Sequence, residues 1–301
     1  MTSIYHPGEL AVQARAGVQV MACRVDKTIR YSIPTAAADF LGSQPMAVAG
    51  TVDARGRVWA SLLTGSPGFM HLVDEETFWI DSKPVSGDPL GENLREGAEI
   101  GLLVIDLATR RRMRVNGKAK MQSDGSVVIH TKQVYSNCPK YIQVRVLDPA
   151  PYKSGVPHSI RCAETLTREQ QQWITRADTF FIASFHPEGG ADASHRGGNP
   201  GFVRILDGRT IQWPDYAGNN MFQTLGNMAV NPQAGLLFLD FERGSTLQLT
   251  GQAQIIWDKA RVVEFAGAER LVEFRIEQII EIAGASPLRW RLVERSPFNP
   301  A

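Results

Sequence analysis

The sequence is poor in cysteine: Cys23, Cys138 and Cys162 are the only three in 301 residues. Three cannot build a dense disulfide frame, and none has the C-x-x-C spacing of a structural zinc site. The reducing cytosol is therefore the default compartment. There is no apolar run of the ~18 residues a membrane-spanning helix needs. A basic-then-apolar leader is not expected either, since Asp, Glu and Arg interrupt residues 1–40 throughout. No sign of charge is in excess: 32 Lys and Arg face 31 Asp and Glu, a net +1. A dedicated nucleic-acid binder carries a basic surplus. Nucleic acid and membrane are thus set aside as partners, and a cytoplasmic location is expected. A Walker loop, a dinucleotide fingerprint and a Gly-x-Ser-x-Gly elbow are all missing. His6, His71, His130, His158 and His186 show no ligand spacing with nearby acids, so no metal is expected.

What is present is an average globular composition, with 43% apolar and 21% charged residues. At ~150 residues per domain the length corresponds to two domains. A repeat relates them. Residues 45–80 lie on residues 178–213 at a constant offset of 133, with nine of 36 pairs identical. Ala60-Ser61 falls on Ala193-Ser194, and Pro67-Gly68-Phe69 on Pro200-Gly201-Phe202. A second block follows at offset 134. There Gly101 to Asp106 lies on Gly235 to Asp240, and Asn116 to Ala119 on Thr250 to Ala253. Two ordered windows with nearly one offset indicate a duplication.

Each half reads as a short helix followed by strands. Thr35 precedes the Ala-rich segment that stops near Gly42, and Thr167 is an N-cap for Arg168 to Ile174. Apolar runs at 46–52 and 180–185 read as buried strands, each closed by a turn. Further strands are expected at 57–63, 68–73, 77–81, 100–107, 112–121 and 141–147. Antiparallel strands so spaced form a small barrel. The expected division is a helical extension (1–44), a first barrel (45–150), a linker (151–164) and a second barrel (165–301).

Polar chemistry concentrates in the second half. Ser194-His195-Arg196-Gly197-Gly198 places a hydroxyl, an imidazole and a guanidinium together before two glycines. Arg offers a donor fork that matches a phosphate; the alternative is a solvated strand end. Asp215 to Asn227, with Asn219, Asn220 and Phe222, is a loop leading into a short helix, where amide donors suit an anion. The alternative is an ordinary Asn/Gly loop. The first half has Leu62 and Leu63 opposite His195 and Arg196, so the cluster is kept in one half only. Cys138 beside Lys140 reads as a small buried cysteine rather than a nucleophile. The Arg110-Arg111-Arg112-Met113-Arg114 run resembles a phosphate patch but reads as a solvated hairpin turn.

With these residues laid out, the chain resembles the pyridoxamine 5'-phosphate oxidase-related, FMN-binding split-barrel family in a tandem form. The resemblance spans roughly residues 6–295. It rests on Pro45 to Phe69, Asn137 to Gln143, Ser194 to Phe202, Asp215 to Asn227 and Gly235 to Ala253. It implies a mainly β chain of two six-stranded split barrels packed as an intramolecular pseudo-dimer, with FMN in the groove between them. The phosphate-binding strand falls at Ser194, His195 and Arg196. The phosphate-binding loop falls at Gly218, Asn219 and Asn220, where Asn replaces both family cations and leaves Arg196 as the main charge partner. Lys140, Tyr141 and Gln143 are the candidates over the ring, with Trp59 and Ser61 behind them. The family's substrate grip is not recognisable, since Trp290-Arg291-Leu292 is only superficially similar. Oxidation of pyridoxamine phosphate is therefore not expected. The implied function is an FMN oxidoreductase acting on a small-molecule substrate or electron donor, with no catalytic residue identified. A deazaflavin in place of FMN, a flavin or haem carrier, and a barrel that has lost its ligand are the alternatives. Pairing of two chains into a homodimer is left open.

Overall fold

The computed structural model describes residues 3–94, 97–148 and 159–301. Most of the expected linker, and His158, lie outside them. The chain is mainly β, in two tandem domains. Helices α1 (Pro7–Ala16), α2 (Gln19–Val25) and α3 (Ala38–Ser43) precede the first sheet. Its strands are β1 (Met46–Val52), β2 (Val58–Thr64), β3 (Met70–Leu72), β4 (Thr77–Ile80), β5 (Ala98–Asp106), β6 (Arg111–Met121) and β7 (Val127–Ser136), with α4 (Leu90–Asn93) between β4 and β5. β8 (Val144–Leu147) and β9 (Ile160–Ala163) lead to α5 (Arg168–Arg176). Thr167 caps α5 as its sequence indicates, in a reciprocal pair with Gln170. The second domain follows with β10 (Thr179–His186), β11 (Gly190–Gly197), β12 (Arg204–Ile205), β13 (Thr210–Tyr216), α6 (Gln223–Val230), β14 (Gln233–Leu239), β15 (Thr246–Ile256), α7 (Lys259–Val262), β16 (Ala268–Ile282) and β17 (Trp290–Glu294).

The two sheets share one topology. The first runs β2-β1-β5-β6-β7-β4-β3 and the second β11-β10-β14-β15-β16-β13-β12, with β9 added on β16. Among the described residues the strand counts are seven and eight rather than six. Each sheet wraps around its own core without closing: β2 and β3, at the two ends of the first, are not paired to each other. One core draws on Ala47, Leu63, Phe78, Leu102, Val115 and Ile129. The other draws on Phe180, Trp213, Leu236, Leu249 and Phe274.

The continuous apolar runs follow from burial on both faces. In β1, Ala47 and Ala49 enter the domain core while Met46 and Val48 enter a third core between the domains. In β10, Phe180 and Ile182 point inward while Phe181 and Ala183 join that same interface. A strand covered on both faces loses the polar alternation of a half-solvated one. Two glycines mark the interface symmetry. A Cβ on Gly101 of β5 would lie 2.4 Å from Cα of Asp192 in β11. A Cβ on Gly235 of β14 would lie 2.7 Å from Cα of Trp59 in β2. Gly235 is the repeat equivalent of Gly101, and Asp192 of Trp59, so the contact is reciprocal. The N-terminal extension crosses this interface: α1 packs on α6 of the other domain, and Gln13 donates to the Met221 carbonyl at 3.0 Å.

Candidate functional site

Alternation along β6 sets up the site. Met113, Val115 and Ala119 fill the first core, which turns Arg112, Arg114 and Asn116 toward the second domain. Arg114 is 6% exposed and Asp192 is 3% exposed. Nη1 of Arg114 donates to both Asp192 oxygens at 2.9 Å. Asn116, Tyr135 and Thr224 complete the carboxylate shell at 3.2, 3.1 and 3.3 Å. The ion pair therefore ties the domains together through a carboxylate that is well hydrogen-bonded, while Nε of Arg114 and Oδ1 of Asn116 have no partner among the described residues.

Beside it opens a groove with about 800 Å³ of atom-free space, part of it open to solvent. Ser194 Oγ accepts from Arg114 Nη2 at 2.6 Å and from Arg196 Nη1 at 2.7 Å. Both lone pairs are engaged, which leaves its proton free to donate. His195 is 3% exposed, and neither ring nitrogen has a partner among the described residues. Burial, then the charges of Arg112 and Arg196, push its pKa well below the usual histidine range. It is a neutral imidazole with one donor and one acceptor to offer. Arg196 also bonds the His195 carbonyl at 3.1 Å and lies 3.9 Å from Asp215, while its Nε has no partner. Arg112 Nη2 donates to the Cys138 carbonyl at 2.6 Å, and its Nε is buried without a partner. Burial, with Arg114 and Arg196 nearby, lowers its pKa to about 9.

The walls come from strained backbone. Asn220 and Phe222 adopt left-handed φ of 62° and 63° ahead of α6, a cost of order 1 kcal/mol or more for each non-glycine residue held there. Asn219 Oδ1 accepts from the Met221 amide at 3.1 Å. From the first domain Tyr141, also left-handed at φ 66°, reaches across. Its hydroxyl donates to the Ala217 carbonyl at 3.0 Å, and its ring lies 5.1 Å from that of Tyr216. Its carbonyl would sit 2.0 Å from any Cβ at position 197, which explains Gly197. Lys140 lies at the lip, 5.6 Å from the Phe298 ring.

Ser194, His195, Arg196, Asn219, Asn220, Phe222, Lys140 and Tyr141 all line this one groove. Gln143 does not. It is fully buried in the seam beside it, where its Oε1 accepts from the Ser296 amide at 2.7 Å. Trp59 lines the repeat-equivalent groove, and Ser61 is fully buried beside it. There Ser61 donates to Asp88 at 2.6 Å, and Gln248 donates to the other Asp88 oxygen at 3.1 Å. Two expectations are corrected. The 110–114 run is not a solvated turn, because Arg112 and Arg114 face the other domain. Cys138 is half-buried at the groove rather than enclosed in a core. Sequence reasoning missed both arginines as groove residues. The signal was the alternation Arg112-Met113-Arg114-Val115-Asn116, a polar face that meets protein instead of water.

A family model described as pyridoxamine 5'-phosphate oxidase matches residues 33–145 and again residues 166–283. No curated protein matches the chain in sequence. Among solved structures, HupZ of Group A Streptococcus is 18% identical over 38% of this chain and 91% of its own, with a TM-score of 0.32. A putative pyridoxamine 5'-phosphate oxidase from Lactobacillus delbrueckii is 16% identical over 39% of this chain and 94% of its own, also at 0.32. An F420 reductase is 14% identical over 38% and 95%, at 0.29.

Proposed function

We propose that this chain, which belongs to the pyridoxamine 5'-phosphate oxidase family through both of its domains, binds one FMN in the groove between them. We read it as an oxidoreductase that passes hydride or electrons to or from a small molecule. Its family is one of flavin-binding proteins. The observation that carries the reading is a set of buried polar atoms around one groove with no partner among the described residues, including both His195 nitrogens and Nε of Arg196, Arg112 and Arg114. Buried polar groups are almost always hydrogen-bonded, so such a cluster fits a polar, anionic ligand. The surrounding residues suit FMN: guanidinium forks and a free Ser194 proton for a phosphate, and Phe222 and Tyr141 for a flat ring.

When bound, the flavin supplies the redox chemistry. The chain supplies binding, orientation and exclusion of water. Arg196, Ser194, Asn219 and Asn220 would hold the phosphate end. His195, kept neutral, would both donate to and accept from the ligand without adding charge. Lys140 and Tyr141 would close the groove from the other domain, which makes both domains necessary to one site. No side-chain acid is required for such a reaction.

The test is a melting experiment with added FMN. A ligand at 100 times its Kd stabilises the fold by about 2.7 kcal/mol, so Tm rises in the wild-type protein, and the rise shrinks in Arg196→Ala. An unchanged Tm at millimolar FMN overturns the reading. A Soret band in the purified protein would instead favour a haem carrier.

A further inference from the structure

The charges around the groove do not balance: besides the half-buried Lys140 at its lip, one arginine is left without an acid. Arg114 is neutralised by Asp192 at 2.9 Å, and Arg145 by Asp178 at 2.5 Å. Arg270 pairs with Glu269 and also lies 3.5 Å from Asp215, which stands 3.9 Å from Arg196. Among the described residues, Arg112 has no acid: its hydrogen bond goes to a neutral carbonyl. His195, kept neutral, adds no charge of its own. Arg112 is half-buried, with its Nε closed off from water; a cation withdrawn from water without a counter-charge is costly, and folding alone gives no reason to keep it. We propose that Arg112 of the first domain and Arg196 of the second close on one ligand anion from two sides, so that the charge anchoring the ligand is supplied across the domain interface.

The duplication supports this independently. At the repeat-equivalent positions Arg112 becomes Thr246 and Arg196 becomes Leu63. Both arginines are present in one groove and both are missing from the other, as expected of two residues that serve one ligand. In that second groove the chain supplies its own anion. The buried carboxylate of Asp88 receives Ser61 Oγ, Gln248 Nε2 and the Leu90 amide at 2.6, 3.1 and 2.9 Å. Ser61 is the counterpart of Ser194 and Gln248 of Arg114, so an oxygen anion already sits against the serine that the first groove leaves open.

The identity of the anion as the FMN phosphate rests on the reading above; the clamp itself does not. The experiment compares FMN with riboflavin, which has the same ring and no phosphate, on wild type, Arg112→Met and Arg112→Lys, and records the melting point of each ligand-free protein. A hydrogen bond to a charged group is worth about 1.5–3 kcal/mol, or about 10- to 100-fold. Arg112→Met should weaken FMN by that factor and riboflavin by less than about 3-fold, with Lys in between. The ligand-free Met variant should melt close to wild type, since loss of the hydrogen bond to the Cys138 carbonyl is offset by removal of an uncompensated charge. Equal loss for both flavins, or loss for neither, overturns the clamp. So does a large drop in the ligand-free melting point that Lys restores, because that marks a structural role. Should Arg112→Met fail to fold, the ratio of FMN to riboflavin affinity in Arg112→Lys decides: a fall toward one supports the clamp, and an unchanged ratio overturns it. If wild type binds neither flavin, the flavin reading fails and inorganic pyrophosphate becomes the probe. A melting point raised by pyrophosphate in wild type but not in Arg112→Met keeps the clamp; equal behaviour of the two removes it.

Discussion

Removing the Asp192 carboxylate should loosen the two domains more than any other single polar change at their interface. Asp192 accepts five hydrogen bonds, and four come from the first domain: two from Arg114, one from Asn116 and one from Tyr135. Both ions of the pair are buried. In Asp192→Ala the Arg114 guanidinium keeps only neutral partners, Ser194 Oγ and Tyr135 Oη. Breaking one side of a buried pair costs about 3–5 kcal/mol. For a chain of this length each kcal/mol lowers Tm by about 2 °C, which gives a drop of about 6–10 °C. Arg114→Met combined with Asp192→Leu removes both charges and fills the space, which is often neutral or stabilising, so the double variant should melt near wild type. The assay is thermal unfolding of the wild type, the two single variants and the double. A loss below about 1 kcal/mol in Asp192→Ala, or strictly additive effects in the double variant, would refute the claim that this pair joins the domains.

Gly235→Ala should cost about 1–3 kcal/mol, since its Cβ would lie 2.6 Å from the Val58 carbonyl and 2.7 Å from Cα of Trp59, neither of which can swing aside. Gly91→Ala, whose Cβ would meet nothing closer than 3.8 Å, is the control, and unfolding midpoints compare the two. Glu9, buried where α1 meets α6, has its pKa raised to about 8, chiefly by burial. The folded state therefore holds an extra proton between about 4.5 and 8, and stability falls as pH rises through that window. His6, lowered to about 4 by burial, acts in the opposite sense between about 4 and 6.5. Between pH 6.5 and 8 Glu9 acts without that opposition, so the wild-type melting point should fall, by up to about 2 kcal/mol in stability, while Glu9→Gln should stay flat. A wild-type curve that is level or rising over that range contradicts the assignment.

Much of the fold was legible from the chain alone, because a duplication repeats its turn chemistry and its buried strands at a fixed offset. Gly101 over Gly235 and Ser61 over Ser194 marked the register that the two sheets later showed. The Ser194-His195-Arg196 strand and the Asn219-Asn220 loop were legible as well, since their polar residues lie close together in sequence. Arg112 and Arg114 were not. Alternation puts them on one face of β6, a pattern hidden behind the reading of the run as a solvated turn, and only the arrangement of the domains says that this face meets Asp192 and Ser194 instead of water. Gln143 shows the converse. Its segment borders the groove, yet its own amide is consumed by the backbone of Ser296, a partner 153 residues away in the chain. The open ladders and the extra strands likewise depend on how far each sheet wraps, which no local pattern encodes.

The central claim is that one groove, and not its repeat twin, holds one flavin. The most direct measurement is a titration of purified protein with FMN, following flavin fluorescence to saturation and counting sites per chain. The account predicts one site per chain, lost in Arg196→Ala and kept in Ser61→Ala, which alters only the twin groove. Two sites per chain, no saturable binding, or equal loss in both variants would contradict it.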